Sequence, residues 1–480
     1  MLFTSLQYLL FLPLVVALYW LSPPKWRLPL LLIASYYFYM SWMPAFIVLI
    51  LGMTLFNWLW GDVLFKNPDK RKLIFGIGVG ANLLCLGFFK YSTFLLDSMG
   101  GVYQLFSKHN LGWHADIILP LGISFFSFEF IHYLFEIYRG GKPIKSFVLF
   151  ALFAAFFPTQ IAGPIKRYKD FETQMLSFPP LRLSHFDEGV PLIVLGMAKK
   201  LLLADNLSTF VQMGLTDPHA YGSPELWLFA YAFAFQIYFD FSGYTDIGRG
   251  SAMLFGYHIP INFNMAKNMA EFWHRWHISL SSWLRDYLFI PLGGSRGGRW
   301  LTHRNLFLTM AIGGLWHGAS WNFVVWGVFH GLALIVHREF VVFKEQVLWL
   351  KRFVASPLGN FASIFLTFHA VCIGWVFFRV QDMGQAFFIV KRMMLLSPIF
   401  TRAEGHSFIV LKPELPVVVP VVLIMIAVLV VFNIPISRAS ENGLFRRAPA
   451  PLKALFCTAL ILAMITFQPD NSAPFIYFQF

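Results

Sequence analysis

Long apolar runs recur along almost the whole of this chain, and they limit what it can become more than any other feature. Inside a bilayer every backbone N–H and C=O must be satisfied within its own segment, so runs of this kind fold as helices. Candidate spans fall at about 2–21, 28–42, 45–64, 73–97, 116–138, 146–160, 188–212, 224–256, 305–340, 359–380, 416–433 and 454–468. One crossing takes about 20 apolar residues. The runs 224–256 and 305–340 are therefore too long for one simple crossing, while 28–42, 146–160 and 454–468 are short. The expectation is an all-α polytopic membrane protein with about ten to twelve crossings and at least one re-entrant element. It is read as one membrane domain over residues 1–480, with no soluble domain large enough to fold alone.

Only 13% of the residues are charged, against about 25% in a soluble domain. The net charge of +13 sits in short turns between apolar runs instead of on one stripe, which makes a poor nucleic-acid surface and matches cytoplasmic loops. Lys25 and Arg27, then Lys66, Lys70, Arg71 and Lys72, then Arg139, Lys142 and Lys145 follow the first, third and fifth spans. Arg438, Arg446, Arg447 and Lys453 mark another such loop. Both termini are thereby expected outside, with residues 469–480 as an extracytoplasmic tail. The first run lacks a basic n-region and a small-residue cleavage site, so it reads as a retained span. Cys85, Cys372 and Cys457 lie far apart in apolar stretches and form no metal spacing; they read as buried thiols.

Residues 273–283, WHRWHISLSSW, concentrate tryptophan and histidine in one segment. At about 100° per residue, Trp273, Trp276, Leu280, Trp283, Leu284 and Tyr287 share one arc of an amphipathic helix over 269–289. His277 falls inside that arc and His274 at its polar edge. A core histidine satisfied by a carbonyl and a functional histidine are about equally good readings of His277, since an ionisable group in apolar surroundings is costly to keep. The following loop, PLGGSRGGRW (291–300), can present N–H groups and cations to a phosphate, or simply be a basic turn. Its glycines do not make a Walker loop. His274 and His277 with His317 hint at a metal site, but no carboxylate stands at a suitable spacing, so no metal is expected.

Residues 313–331, GGLWHGASWNFVVWGVFHG, place His317 in an apolar stretch flanked by small residues, with His330 a second candidate. FWHRWHISLSSWLRDYLFIPLGG followed by this stretch resembles the membrane-bound O-acyltransferase family. Within it, the chain resembles the bacterial branch that acetylates alginate, peptidoglycan or cellulose. LPLGISFFSFEFIHYLFEIYRG (119–140), FFPTQIAGPIKRYKD (156–170), QIYFDFSGYTDI (236–247) and the terminal FIYFQF (475–480) support the likeness, which extends over most of the chain.

The resemblance implies helices ringing a central tunnel, with re-entrant and horizontal helices at its waist. It assigns the family histidine to His317 and a second polar position, about forty residues upstream, to His277. It implies acetyl transfer from acetyl-CoA, with no permanently bound cofactor. His317 would be the general base or a transient acyl carrier, and His277 would orient it or bind the carbonyl oxygen. Lys166, Arg167, Lys169 and Arg296 become candidates for the donor's phosphates, although positive-inside topology alone accounts for them. Asp240, Asp246 and His330 are candidate tunnel-lining residues, a structural hydrogen-bond role being equally open for the two aspartates. The chain has no GxSxG elbow, in keeping with an esterase-like partner, periplasmic or membrane-anchored, that completes the transfer to a polysaccharide. The tail would dock that partner, and the Tyr477 hydroxyl is a candidate acyl relay. A missing polar insertion tips the acceptor towards peptidoglycan over alginate. The alternatives are transfer of a D-alanyl or long-chain acyl group, and a transporter or flippase built on broken helices.

Overall fold

A computed structural model describes residues 1–107, 117–160, 163–260, 266–395, 448–469 and 473–478. These residues are helical, without a strand among them. The expected span at 416–433 and the basic residues Arg438, Arg446 and Arg447 lie outside the described residues. Five described helices are long and apolar enough to cross a bilayer: Pro44–Lys66, Arg71–Gln104, Trp321–Gln346, Pro357–Arg379 and Ala450–Phe467. Large apolar side chains such as Leu84, Leu366 and Ile465 stand exposed on them. Lipid is the solvent that makes such surfaces stable, and the chain is an all-α polytopic membrane protein.

The chain divides into two compact units. The first comprises Met1–Ile193 and Thr245–Ile261. It holds α1 (Leu6–Leu21), α2 (Pro24–Met40), α3 (Ile47–Lys66), α4 (Arg71–Phe106) and α5 (Ile123–Tyr138). It continues through the short helices α6 (Phe147–Ala155), α7 (Phe157–Gln160) and α8 (Tyr168–Leu176). Asn57 and Asn82 exchange amide hydrogen bonds of 3.0 and 2.7 Å between α3 and α4, satisfying each other where water is absent.

The second unit comprises Val194–Tyr244 and Asn262–Phe480. α9 (Leu183–Ala198) and α11 (Ser223–Met253) carry the chain from one unit to the other. Between them a π-helical turn, Lys199–Ala204, runs into α10 (Asp205–Thr216), so the apolar run 188–212 is not one regular helix. α12 (Met269–Arg275), α13 (Ile278–Leu284), α14 (Arg299–His317), α15 (Trp321–Gln346), α16 (Leu348–Ala355), α17 (Pro357–Arg379), α18 (Met383–Met394) and α19 (Ala450–Phe467) come next. A final 3-10 turn, Ile476–Phe478, closes the described chain.

The two over-long runs resolve differently. The run 305–340 breaks after His317, where Ser320 caps α15 by accepting a hydrogen bond from the Asn322 N–H at 3.3 Å. The run 224–256, expected to break, is instead the single helix α11, about 46 Å long at 1.5 Å per residue. None of its internal glycines has the positive φ of a helix end. Gly243 serves close approach instead: a Cβ there would lie 2.7 Å from the Gly196 carbonyl oxygen, so α11 lies directly against the end of α9.

Candidate active site

The sequence around His277 builds a turn where the helical wheel draws one continuous helix over 269–289. Asn268 caps α12 by accepting from the Glu271 N–H at 2.9 Å, and Glu271 reaches back to the Lys267 N–H at 2.7 Å. Seven residues later α12 ends, and His277 adopts the left-handed conformation, φ 46° and ψ 56°, before α13 begins. That break separates neighbours on the wheel. Trp273 and Trp276 pack towards Trp326 and Trp375, at ring-centroid distances of 5.6 and 5.2 Å. His277 turns instead onto Phe241, 4.6 Å away and edge-on. The amphipathic segment is thus two seven-residue helices and a π-turn, Arg285–Phe289.

His317 is placed by the hairpin of α14 and α15. A Cβ on Gly314 would come within 2.3 Å of the Phe323 carbonyl oxygen, and one on Gly327 within 2.4 Å of that of Met310. Two glycines therefore let the helix backbones touch, the small-residue packing common between membrane helices. Gly318 gives room to the Phe323 ring just beyond His317. His317 is the last residue of α14. Its ring meets Trp316 and Trp326, each at 4.9 Å, and Phe378 at 5.3 Å.

The chain's end completes the group. The Tyr477 ring lies 5.8 Å from that of His317, 6.2 Å from that of His277 and 4.8 Å from that of Phe241. Phe475 is buried and stacks on Tyr244 at 4.1 Å. His277 is fully buried and His317 is 6% exposed, so two imidazoles and a phenol converge within an aromatic enclosure. Burial pushes the His277 imidazole down to about 3 and raises the Tyr477 phenol well above its usual 10. Both are neutral at pH 7, and deprotonating Tyr477 requires a base beside it. The arrangement suits proton transfer from phenol to imidazole as the phenol attacks an electrophile.

The remaining expected residues are spread over both units. His330 is buried in the second unit between Phe272, Trp273 and Trp326, with both ring nitrogens lacking a hydrogen-bond partner among the described residues. Asp240 is buried and paired with Lys200 at 3.0 Å. Arg296 stands exposed in the glycine loop. In the first unit, Asp246 pairs with Arg249 at 3.4 Å, and Lys169 is exposed beside Glu136 at 3.3 Å. Arg167 precedes α8 as its cap residue. Lys166 is buried, its ammonium 2.8 Å from both Glu129 and the Thr159 hydroxyl, so its charge is answered within its own unit. His274 is exposed whereas His277 is buried, so the pair does not converge on an ion, and no metal-holding group of His, Cys, Asp or Glu occurs among the described residues. Lys200 and Asp205, part of one buried cluster with Asp240, were not expected. Their signal is present in AKKLLLADN: ionisable residues inside an apolar run are functional candidates by default.

Residues 105–378 match the model of MBOAT, the membrane-bound O-acyltransferase family. A probable alginate O-acetylase of Pseudomonas aeruginosa is 40% identical over 82% of this chain and 75% of its own length. One from Pseudomonas putida is 34% identical over the whole of both chains. A peptidoglycan O-acetyltransferase of Helicobacter pylori is 33% identical over 78% of this chain and 75% of its own.

Proposed function

Since the chain belongs to the membrane-bound O-acyltransferase family, and is thus a multi-pass membrane O-acyltransferase, we propose that it takes acetyl groups from acetyl-CoA on the cytoplasmic side of the inner membrane and passes them outward for O-acetylation of a cell-envelope polysaccharide. The observation that carries this reading is the convergence of His277, His317 and Tyr477. His317 is the general base. The Tyr477 oxygen attacks the thioester carbonyl, its proton passes to His317, and the C–S bond breaks. That proton leaves with the CoA thiolate, and the acetyl group remains as a phenolic ester. His277, neutral because it is buried, orients the base or binds the carbonyl oxygen.

The second transfer, from the tyrosyl ester to a sugar hydroxyl, belongs to an esterase-like partner outside the membrane that docks at the tail. Among the relatives, the higher identity of the alginate O-acetylases supports alginate over the peptidoglycan expected from the missing insertion. Arg296, exposed in the same unit as the two histidines and Tyr477, remains a candidate for the donor's phosphates.

The test is acetyl transfer from radiolabelled acetyl-CoA in proteoliposomes, comparing wild type with His317→Ala and Tyr477→Phe after confirming insertion of each. Loss of general-base catalysis lowers thioester consumption about 10²–10⁴-fold in His317→Ala. Label is expected on Tyr477 in wild type and on no tail residue in Tyr477→Phe. If His317→Ala consumes donor as wild type does, His317 is structural and transport of an acyl group becomes the better reading.

A further inference from the structure

Three charged side chains lie buried beside the tail. The Lys200 ammonium is 2.6 Å from Asp205 Oδ1 and 3.0 Å from Asp240 Oδ1, and the three side chains are 2%, 0% and 3% exposed. Lys200 also donates to the Ala473 carbonyl at 2.8 Å, so three oxygens surround its ammonium. The second oxygen of Asp240 accepts the Ile476 N–H at 2.7 Å. The cluster therefore grips the tail backbone at residues 473 and 476, and Tyr477 is the next residue.

Buried ion clusters are weak devices for stability, because the loss of hydration offsets much of the attraction. In some proteins such groups fix one arrangement, and the surroundings here have the parts for that. The π-turn Lys199–Ala204 carries Lys200, and the close approach at Gly243 sets it against α11. α11 then supplies Asp240 to the tail backbone, Phe241 to both His277 and Tyr477, and Tyr244 to Phe475. One short stretch of a single helix thus carries the latch and the aromatic platform together.

We infer that Lys200 and Asp240 are positioning residues for acyl transfer: they hold the backbone of residues 473–476 so that the Tyr477 hydroxyl is presented to His317. This rests on the reading that His317 and Tyr477 carry the transfer. Asp205 balances the charge of Lys200 within the cluster.

Two variants test it from opposite sides. Asp240→Asn alters the cluster. Ile476→Pro leaves the buried charges intact and removes the N–H that Asp240 accepts, and Ile476→Ala, which keeps that N–H, controls for the buried side chain lost with it; proline is tolerated at the first position of a helical turn. Acetylation of Tyr477 is followed by peptide mass spectrometry, and donor kinetics in proteoliposomes. Tail position is read from the ¹⁹F NMR signal of 3-fluorotyrosine at position 477. Misplacing the hydroxyl by about an ångström lowers kcat for Tyr477 acetylation about a hundredfold in each variant. The KM for acetyl-CoA moves less than about twofold, because the donor's own contacts are kept. The ¹⁹F signal shifts towards that of a solvent-exposed tyrosine. In a Tyr477→Phe background neither substitution lowers residual thioester cleavage further, whereas general damage to the fold would add to it.

If His317→Ala equals wild type, the acyl-transfer reading falls and this role with it. If His317→Ala is inactive while both latch variants acetylate Tyr477 at the wild-type rate, or act additively with Tyr477→Phe, the transfer reading stands and the positioning role alone is overturned.

Discussion

A left-handed backbone costs a histidine about 1–2 kcal/mol, and His277 keeps one where the helix on either side could have continued. The strain separates its ring from Trp273 and Trp276 and turns it to Phe241 and Tyr477. Asparagine tolerates this conformation, so His277→Asn should insert and fold. Its acetyl transfer should fall about a hundredfold, the lower range for losing a proton-transfer or orienting group. The same variant tests the charge state. The unfolded imidazole titrates near 6.5 and the folded one near 3, so below 6.5 the unfolded chain binds a proton that the folded chain lacks. Stability present above that pH is lost as pH falls. The melting temperature in detergent should drop between about pH 7 and pH 4.5, and less steeply for His277→Asn. Equal slopes would remove His277 as the titrating group. The helical wheel sets His277 apart, as an ionisable side chain on an apolar arc. The break itself leaves no mark in a periodic pattern, because nothing in HRWHIS carries a glycine or proline.

Apolar run length locates the helices well, and local chemistry decides where they end. The 305–340 run is legible as two elements because Gly318 and Ser320 sit in its middle. The glycines of α11 suggest a break equally well, yet Gly243 serves close packing, a distinction that only the neighbouring Gly196 carbonyl reveals. The same contrast gives a stability prediction. Gly314→Ala places a Cβ against backbone atoms of α15, which must move, and overpacking of this kind costs about 1–3 kcal/mol. Gly80→Ala meets nothing within 4 Å and should be neutral or slightly stabilising, since alanine is the better helix former. Thermal melting of the two variants in detergent checks this. A Gly314→Ala protein as stable as Gly80→Ala would mean that the hairpin is not fixed by backbone contact. Activity should follow stability only for Gly314→Ala, because that seam also sets where α14 ends and His317 stands.

At the scale of the whole chain, the site joins residues more than 230 positions apart: Asp240 on α11 and Ile476 in the tail meet in one hydrogen bond. Sequence periodicity has no access to such a contact, which is why Tyr477 stands out in the sequence only as a hydroxyl among phenylalanines. The direction of transfer depends on which side that tail occupies. Arg438, Arg446, Arg447 and Lys453, ahead of the last expected span, read as a cytoplasmic loop by their positive charge, and on that reading the tail faces outward. Cysteine accessibility tests this independently of catalysis. With Cys85, Cys372 and Cys457 replaced by serine, a single cysteine at exposed Pro474 should react with a membrane-impermeant thiol reagent in intact cells. One at exposed Lys70 should react only after the membrane is permeabilised. With that pattern, an acetyl group loaded onto Tyr477 is already on the side from which a polysaccharide-directed partner approaches, and the tail need not cross the bilayer. The reverse pattern would place both the tail and the donor in the cytoplasm, and a polysaccharide acceptor outside could then not be served from Tyr477.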